Sequence, residues 1–272
     1  MTRFISSKSQ LMKIIKEYTL KNISPIINYK TGHINGKTDV TYHLNTHKEL
    51  IQNFPFNFHT LSVSSIGLDY YNLTDVIQES KKNDCVCIVD AEKYLIQDTV
   101  NSYIDRVTIC QSNVPHIFKT YQMYRKDSME NLIDDINMYN TLDIPLNINL
   151  IRGRYLDDIK FNVIYDTKEE VDHNYNKAVK ILLKSSLMNP NMNVIFTTHN
   201  RESIQLFKKS KSPNVYHAVM MDFDKYLYPN DKEYLINRMV YLPFKSSKAE
   251  ENVHQSTNDF DKRLIHLDCS FA

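Results

Sequence analysis

The residue types able to do chemistry fall at the ends of short β-branched or aromatic runs. One run closes as Asn149-Leu150-Ile151-Arg152-Gly153-Arg154-Tyr155-Leu156-Asp157, turning from apolar to basic around one of only four glycines in 272 residues. Glycine there lets the backbone turn sharply or approach a ligand closely, and the flanking guanidiniums supply cationic donors. Other runs end in Asp90-Ala91-Glu92, Thr120-Tyr121-Gln122, Thr198-His199-Asn200 and Tyr241-Leu242-Pro243-Phe244. Taken singly, each has an ordinary explanation: Asp90 and Asn200 as helix caps, Gln122 as partner of a loop carbonyl, His199 as a core histidine. Their recurrence at successive run ends is the signal. Amide, hydroxyl, imidazole and guanidinium groups meeting at one mouth suit a large heteroaromatic ligand with phosphates better than a bare metal.

Other chemistries find less support. No G-x-G-x-x-G follows a run, and there is no phosphate-binding G-x-x-x-x-G-K-[ST] and no G-x-S-x-G nucleophile elbow. His43 and His47 are four apart but lack the glutamate of a zinc protease motif, and their polar surroundings read as a solvated face. Cys85, Cys87, Cys110 and Cys269 show neither metal spacing nor a disulfide framework, which points to a reducing or neutral compartment. Cys85 and Cys87 read as small core residues on one face of a strand.

The elements that must position these groups alternate. Eight strands are expected, at Ser24 to Tyr29, Thr60 to Ser65, Cys85 to Asp90, His116 to Gln122, Asn147 to Arg152, Asn193 to Thr198, Asn214 to Met220 and Arg238 to Phe244. Helical spacing appears at Asn45 to Asn53, Leu73 to Lys82, Lys126 to Asn140, Lys168 to Met188 and Arg201 to Lys209, with a last helix within Lys248 to Leu267. The helix from Lys168 is the clearest, with Val171, Tyr175, Ala178, Val179, Leu182 and Leu183 as its stripe and Thr167 as N-cap. Buried-type strands alternating with helices imply a parallel sheet. Eight such units in one domain of this length fit an α/β (β/α)8 TIM-like barrel better than an open doubly wound sheet.

A formal charge of +1, with both signs spread along the chain, gives no electrostatic reason to expect nucleic acid. Every apolar run is far shorter than the roughly 20 residues that cross a bilayer. The segment from Met1 to Lys16 carries Arg3, Lys8, Lys13 and Lys16 and no acid, which reads either as a mitochondrial presequence or as a basic first helix of the fold.

In order and spacing these segments resemble the proline dehydrogenase (proline oxidase) family, particularly its fungal mitochondrial members. Ile26-Ile27-Asn28-Tyr29 is similar to the family's first strand, Val89-Asp90-Ala91-Glu92 to its acidic motif, and Thr120 to Tyr124 with Asp127 to its Thr-Tyr-Gln-x-Tyr segment. Leu150 to Asp157 resembles its Leu-Val-Arg-Gly-Ala-Tyr motif. Lys168 to Asp172 with Asn174-Tyr175 resembles the helix after it, and Thr198-His199-Asn200 the sixth-strand motif. The resemblance implies a distorted single-domain barrel over 1–272, with a leading basic helix or presequence in 1–23 and a degenerate final helix and tail in 245–272. It further implies FAD as cofactor, oxidation of L-proline to pyrroline-5-carboxylate, a quinone acceptor, peripheral membrane association and a mitochondrial location.

By position, the resemblance makes Asp90 and Tyr241 the catalytic candidates, with Ala91 beside the flavin and Gln122 hydrogen-bonding its ring. Arg152, Gly153 and Arg154 would hold the cofactor, with Thr198, His199 and Asn200 on its ribityl, phosphate or adenosine part. Five positions depart from the family pattern. Ser62 stands where the family has a lysine, Asn149 where it has a basic residue, and Arg154 where it has a small alanine. Ser256 and Thr257 fall where paired arginines grip the substrate carboxylate. A charge-assisted hydrogen bond contributes on the order of 1.5 to 3 kcal/mol, so losing that pair weakens carboxylate binding by orders of magnitude. Two further readings stand beside the enzyme: a catalytically degraded paralogue with a binding or regulatory role, and an unrelated barrel acting on a phosphorylated small molecule.

Overall fold

Strands that are apolar on both faces are stable only when both faces are covered, and a closed parallel barrel sheathed in helices does this. The computed structural model of the chain describes residues 4–31, 36–110, 117–153, 155–189, 191–227 and 234–245. Its strands are β1 (Ile23–Tyr29), β2 (Phe58–Leu61), β3 (Val86–Val89), β4 (Ile117–Gln122), β5 (Asn147–Ile151), β6 (Asn193–Thr197), β7 (Val215–Met220) and β8 (Asn237–Phe244). They close in sequence order, all parallel, with β8 pairing along the whole of β1 from Ile23↔Arg238 to Tyr29↔Phe244. The expected TIM-like α/β barrel is therefore present.

The helices are α1 (Lys8–Thr19), α2 (Lys37–Asn53), α3 (Tyr70–Lys82), α4 (Tyr94–Cys110), α5 (Ser128–Thr141), α6 (Lys168–Met188), α7 (Arg201–Phe207) and α8 (Met221–Leu227). The basic segment Lys8–Thr19 forms α1, capped by Ser7, whose Oγ accepts from the Gln10 amide at 3.2 Å, and anchored through buried Leu11. Just before it, Ile5 bridges to Phe244 beside the end of β8. Helix α6 spans the expected residues, and Thr167 with Glu170 forms a reciprocal capping box that satisfies two otherwise orphaned amides.

Three expectations are corrected. The second strand runs Phe58–Leu61, set by its pairing with Val86 to Val89, and Ser62 lies past it; Ser64–Ile66 is a 3-10 turn closed by Gly67 at φ +86°. Helix α4 fills an interval in which no helix is expected, because its inward face mixes Gln97 and Thr108 with Val100, Ile104 and Val107, blurring the apolar stripe. His43 and His47 are buried rather than solvated. The helix begins at Lys37, earlier than expected, so that His43, His47, Leu50 and Ile51 share one inward face. There the Tyr29 hydroxyl lies 2.8 Å from His43 Nδ1, and Ser65 Oγ 3.4 Å from His47 Nε2. The final helix expected within Lys248 to Leu267 lies outside the described residues, as do Ser256 and Thr257.

The barrel interior is apolar at its base. Ile26, Ile88, Phe118, Ile195, Ala218 and Met239 fill it, with Phe58 packed edge-on against Phe118 and Tyr216 beside it. Toward the strands' C-terminal ends the filling turns polar, with Asn28, Thr60, Thr120, Asn149, Thr197 and Tyr241. Outside the barrel, β4 carries a buried ion cluster. Lys119 Nζ sits 2.8 Å from Asp105 of α4 and 2.6 Å from Asp135 of α5. The hydroxyls of Tyr139 and Tyr121 donate to the same two carboxylates.

Removing the lysine would leave two carboxylates facing each other in a nearly dry site. Lys119→Met is expected to cost about 3–5 kcal/mol, read as a lowered urea midpoint with the slope unchanged; a loss below 1 kcal/mol would show that the cluster is solvated. Burial also lowers the imidazoles of His47, His59 and His217 to about 3, 4 and 3. They fold neutral, so the stability they contribute is complete above the unfolded value of 6.5 and is lost as pH falls from there toward 4. Each contributes up to about 1.4 kcal/mol per pH unit in that window. Urea midpoints should fall between pH 7 and pH 5, and equal midpoints would contradict the burial.

Candidate active site

In parallel barrels the βα turns gather at the C-terminal rim, which is where ligands bind. All the described candidates stand at that rim. Asp90 and Ala91 follow β3, Gln122 ends β4, Arg152 and Gly153 follow β5, Thr198 to Asn200 follow β6, and Tyr241 points inward from β8. Arg154 lies outside the described residues.

The third-strand turn is organised by Glu92, which the sequence marks only as the last residue of an acidic motif. Its buried carboxylate accepts from Ser62 Oγ at 2.6 Å, Ser64 Oγ at 2.9 Å and the Ser64 amide at 3.1 Å. Its amide donates to Gln97 Oε1 at 2.6 Å, and its carbonyl accepts from Gln122 Nε2 at 3.0 Å. Among the described residues Glu92 makes no ion pair; neutral hydroxyls and an amide satisfy it, with Ser62 at the position where the family resemblance expects lysine. Among the described residues, Gln122 Oε1 is left buried without a partner. Gln97 carried no recognisable signal, because its helix was not legible.

After β5 the chain makes a close approach. The Tyr124 hydroxyl donates to Asp158 Oδ2 at 2.9 Å, and its amide to the Arg152 carbonyl at 2.5 Å, which pins the ring under the turn. Burial first, then the Asp158 carboxylate, push its phenol far above the ordinary range. A Cβ added at Gly153 would fall inside that ring, so the glycine is dictated by space as well as by the turn. Arg152 turns outward over the Tyr175 ring, with its Cζ 4.7 Å from the centroid. It ion-pairs with Asp172 of α6, and donates to Thr198 Oγ1 at 3.1 Å and to Ser203 Oγ at 2.6 Å. One guanidinium thus ties β5, β6, α6 and α7 together.

The sixth-strand turn is equally fixed. Thr198 Oγ1 accepts from the Asn200 amide at 3.1 Å, and the Thr198 carbonyl accepts from His217 Nε2 at 2.9 Å. Asn200 caps α7 through the Ser203 amide at 3.0 Å. His199 stacks on Phe223 at 4.2 Å and its Nε2 accepts from the Met220 amide at 3.2 Å, which places a ring proton on Nδ1. Asn200 as a helix cap and Gln122 as partner of a loop carbonyl therefore do the structural work that their ordinary explanations assign them, at the same rim where a ligand would meet them.

Within the barrel, Asn149 is buried and connects neighbours. Its Nδ2 donates to Thr120 Oγ1 at 3.1 Å, its Oδ1 accepts from Thr197 Oγ1 at 2.8 Å, and Thr197 lies 3.3 Å from the Tyr241 hydroxyl. At the two positions where the resemblance expects lysine and a basic residue, this rim is lined by neutral groups.

Fold and rim together define a (β/α)8 barrel with a polar mouth. The family model for proline dehydrogenase matches residues 5–222, and the chain belongs to that family. It is 25% identical over 143 residues to a hydroxyproline dehydrogenase of Rattus norvegicus, covering 48% of this chain and 31% of that protein. It is 26% identical over 128 residues to a probable mitochondrial proline dehydrogenase of Schizosaccharomyces pombe, covering 47% and 26%. The aligned stretch thus spans about a third or less of these relatives. In structure it is similar to proline utilization A from Bdellovibrio bacteriovorus, with a TM-score of 0.77 at 14% identity over 97% of this chain and 33% of that one. The Bradyrhizobium japonicum protein gives 0.73 at 16% identity over 93% and 32%. At these identities the likeness concerns the fold.

Because the Tyr124 ring is held by its own hydrogen bonds, Gly153→Ala is expected to shift the turn and cost about 1–3 kcal/mol. Gly153→Ala with Tyr124→Ala should recover part of the turn's rigidity in amide exchange. Full stability of the single variant would show that the approach is loose.

Proposed function

We propose that the chain is an FAD-dependent barrel that oxidises L-proline, or a related cyclic amino acid, to pyrroline-5-carboxylate and passes the electrons to a quinone. The observation that carries this reading is the gathering of Asp90, Gln122, Arg152, Thr198, His199, Asn200 and Tyr241 at one barrel rim in a member of the proline dehydrogenase family. The fit to a flavin rests on chemistry present at the rim. Gln122 Oε1 is a buried acceptor with no partner among the described residues, which a ring N–H donor would satisfy, and the amides and hydroxyls of the neighbouring strand ends offer a heteroaromatic ring further donors and acceptors. Ala91 would lie against the ring, Arg152 with Gly153 and Arg154 would hold the cofactor, and Thr198 to Asn200 would face its ribityl, phosphate or adenosine part. The flavin supplies the hydride acceptor.

The chain's own residues then bind and orient. Tyr241 walls the substrate pocket, Asp90 stands beside the reacting centre, and the Glu92 web holds Ala91 and Gln122 in place. A mitochondrial location and peripheral membrane association accompany this reading, the first supported by relatives named as mitochondrial in Schizosaccharomyces pombe and Arabidopsis thaliana. A second reading, a paralogue that binds without turnover, is favoured by one specific observation. Asn149 and Ser62 put neutral side chains where the family pattern has cations, and a nearby cation stabilises a reduced, anionic ring.

A visible spectrum of the purified chain followed by anaerobic addition of proline separates the readings. A yellow protein that bleaches supports the enzyme, and a yellow protein that does not bleach supports the degraded paralogue. A colourless protein that cannot be reconstituted with FAD sinks both. Asp90→Ala is expected to abolish bleaching with the thermal midpoint retained; unchanged turnover would show that its role is misassigned.

A further inference from the structure

Helix α4 starts directly behind the third-strand turn Asp90-Ala91-Glu92, and Lys93 holds the position of its N-cap. A lysine side chain carries only donors, so it cannot accept from the first amides of the helix as Ser, Thr, Asp or Asn would. The acceptor comes from across the rim. Asp158 belongs to the 3-10 segment Leu156–Phe161 after β5 and is 2% exposed. The Tyr94 amide, first in α4, donates to its Oδ2 at 3.2 Å, with Oδ1 at 3.3 Å. The same Oδ2 accepts from the Tyr124 hydroxyl at 2.9 Å, and that hydroxyl also lies 3.2 Å from the Tyr155 carbonyl. A carboxylate is the side chain best suited to the positive end of a helix dipole.

The chain that carries Asp158 is itself held by backbone. Just beyond the 3-10 segment, the Val163 carbonyl accepts from the Lys126 amide at 2.9 Å, and the Tyr165 amide donates to the Tyr124 carbonyl at 2.8 Å. The Tyr94 ring touches both sides of this junction, with its centroid 5.4 Å from that of Phe161 and 5.1 Å from Arg125 Cζ. We propose that Asp158 is a positioning residue. As a cap supplied from the fifth-strand turn, it sets where the third-strand turn, with Asp90 and Ala91, stands relative to Tyr124 and to Gly153, which approaches the Tyr124 ring. Because one oxygen serves both donors, an asparagine carbonyl in its place can serve both and a leucine neither. The third- and fifth-strand turns are the ones that the proposed function sets against the cofactor, so a consequence for flavin binding rests on that reading; the cap itself does not.

Amide exchange followed by NMR on the full chain tests the cap. Asp158→Leu should speed exchange of the Tyr94 and Glu92 amides by about tenfold or more, while Lys126 and Tyr165, bonded through backbone, change by less than about threefold. Asp158→Asn should stay within about threefold of the native chain at all of these amides. Unchanged exchange at Tyr94 and Glu92 in the leucine variant, or an equal rise at Lys126 and Tyr165, overturns the proposal. Lys93→Ser combined with Asp158→Leu returns a local cap without the tie across the rim, which separates positioning from stability. Its urea midpoint should recover toward the native value, while its dissociation constant for FAD, read by calorimetry, should remain about tenfold or more above that of the native chain and of Asp158→Asn. Native FAD affinity in the double variant overturns the consequence for the cofactor. Failure of the native chain to bind FAD overturns the proposed function, and the exchange result still decides the cap.

Discussion

Everything at the rim depends on the closure of the sheet through the β1–β8 pairing, seven residues long from Ile23↔Arg238 to Tyr29↔Phe244. A parallel barrel has no edge once this ladder forms, and every strand's C-terminal end then faces the same way. Closure turns five separate sequence motifs into one surface. It also creates an obligation, since inward groups on neighbouring strands are shut away from water and must satisfy one another. The apolar base meets this by packing Phe58, Phe118 and Tyr216 together, and the upper layer by the hydrogen bonds radiating from Asn149.

That obligation explains how the neutral substitutions are accommodated. Where the family pattern places a cation near the second strand, Ser62 and Ser64 give Glu92 three hydrogen bonds, so a buried carboxylate survives with no ion pair among the described residues. Where it places a basic residue on the fifth strand, Asn149 joins Thr120 to Thr197 through both ends of its amide. Both replacements form coherent webs rather than damaged ones. A chain that had merely decayed would be expected to leave orphaned groups, since a half-satisfied buried network costs more than an apolar one. Among the described side chains the orphaned atoms are few, and one of them, Gln122 Oε1, stands at the rim.

The barrel was legible because its strands are short apolar runs with turn residues after them, and because α6 combines a clean stripe with a capping box. The rim residues were legible as run endings, although their individual roles came only through family resemblance. What stayed hidden is instructive in physical terms. Helix α4 buries Gln97 and Thr108, and α2 buries His43 and His47, so polar residues on inward faces concealed both helices or their orientation. Glu92 and Tyr124 act through tertiary partners at Ser62 and Gly153, contacts that no local spacing reports. Lys119 is buried only because α4 and α5 bring Asp105 and Asp135 over it, a tertiary pairing with no local signature.

What carries most is that the polar rim, with the Gln122 acceptor unpartnered among the described residues, is a flavin site. Calorimetric titration of the purified, flavin-stripped chain with FAD tests it most directly when paired with Gln122→Leu, which removes the unpartnered acceptor. The account predicts one FAD per chain and at least tenfold weaker binding in the variant. Binding of equal strength in both, or no saturable binding to the native chain, would contradict it.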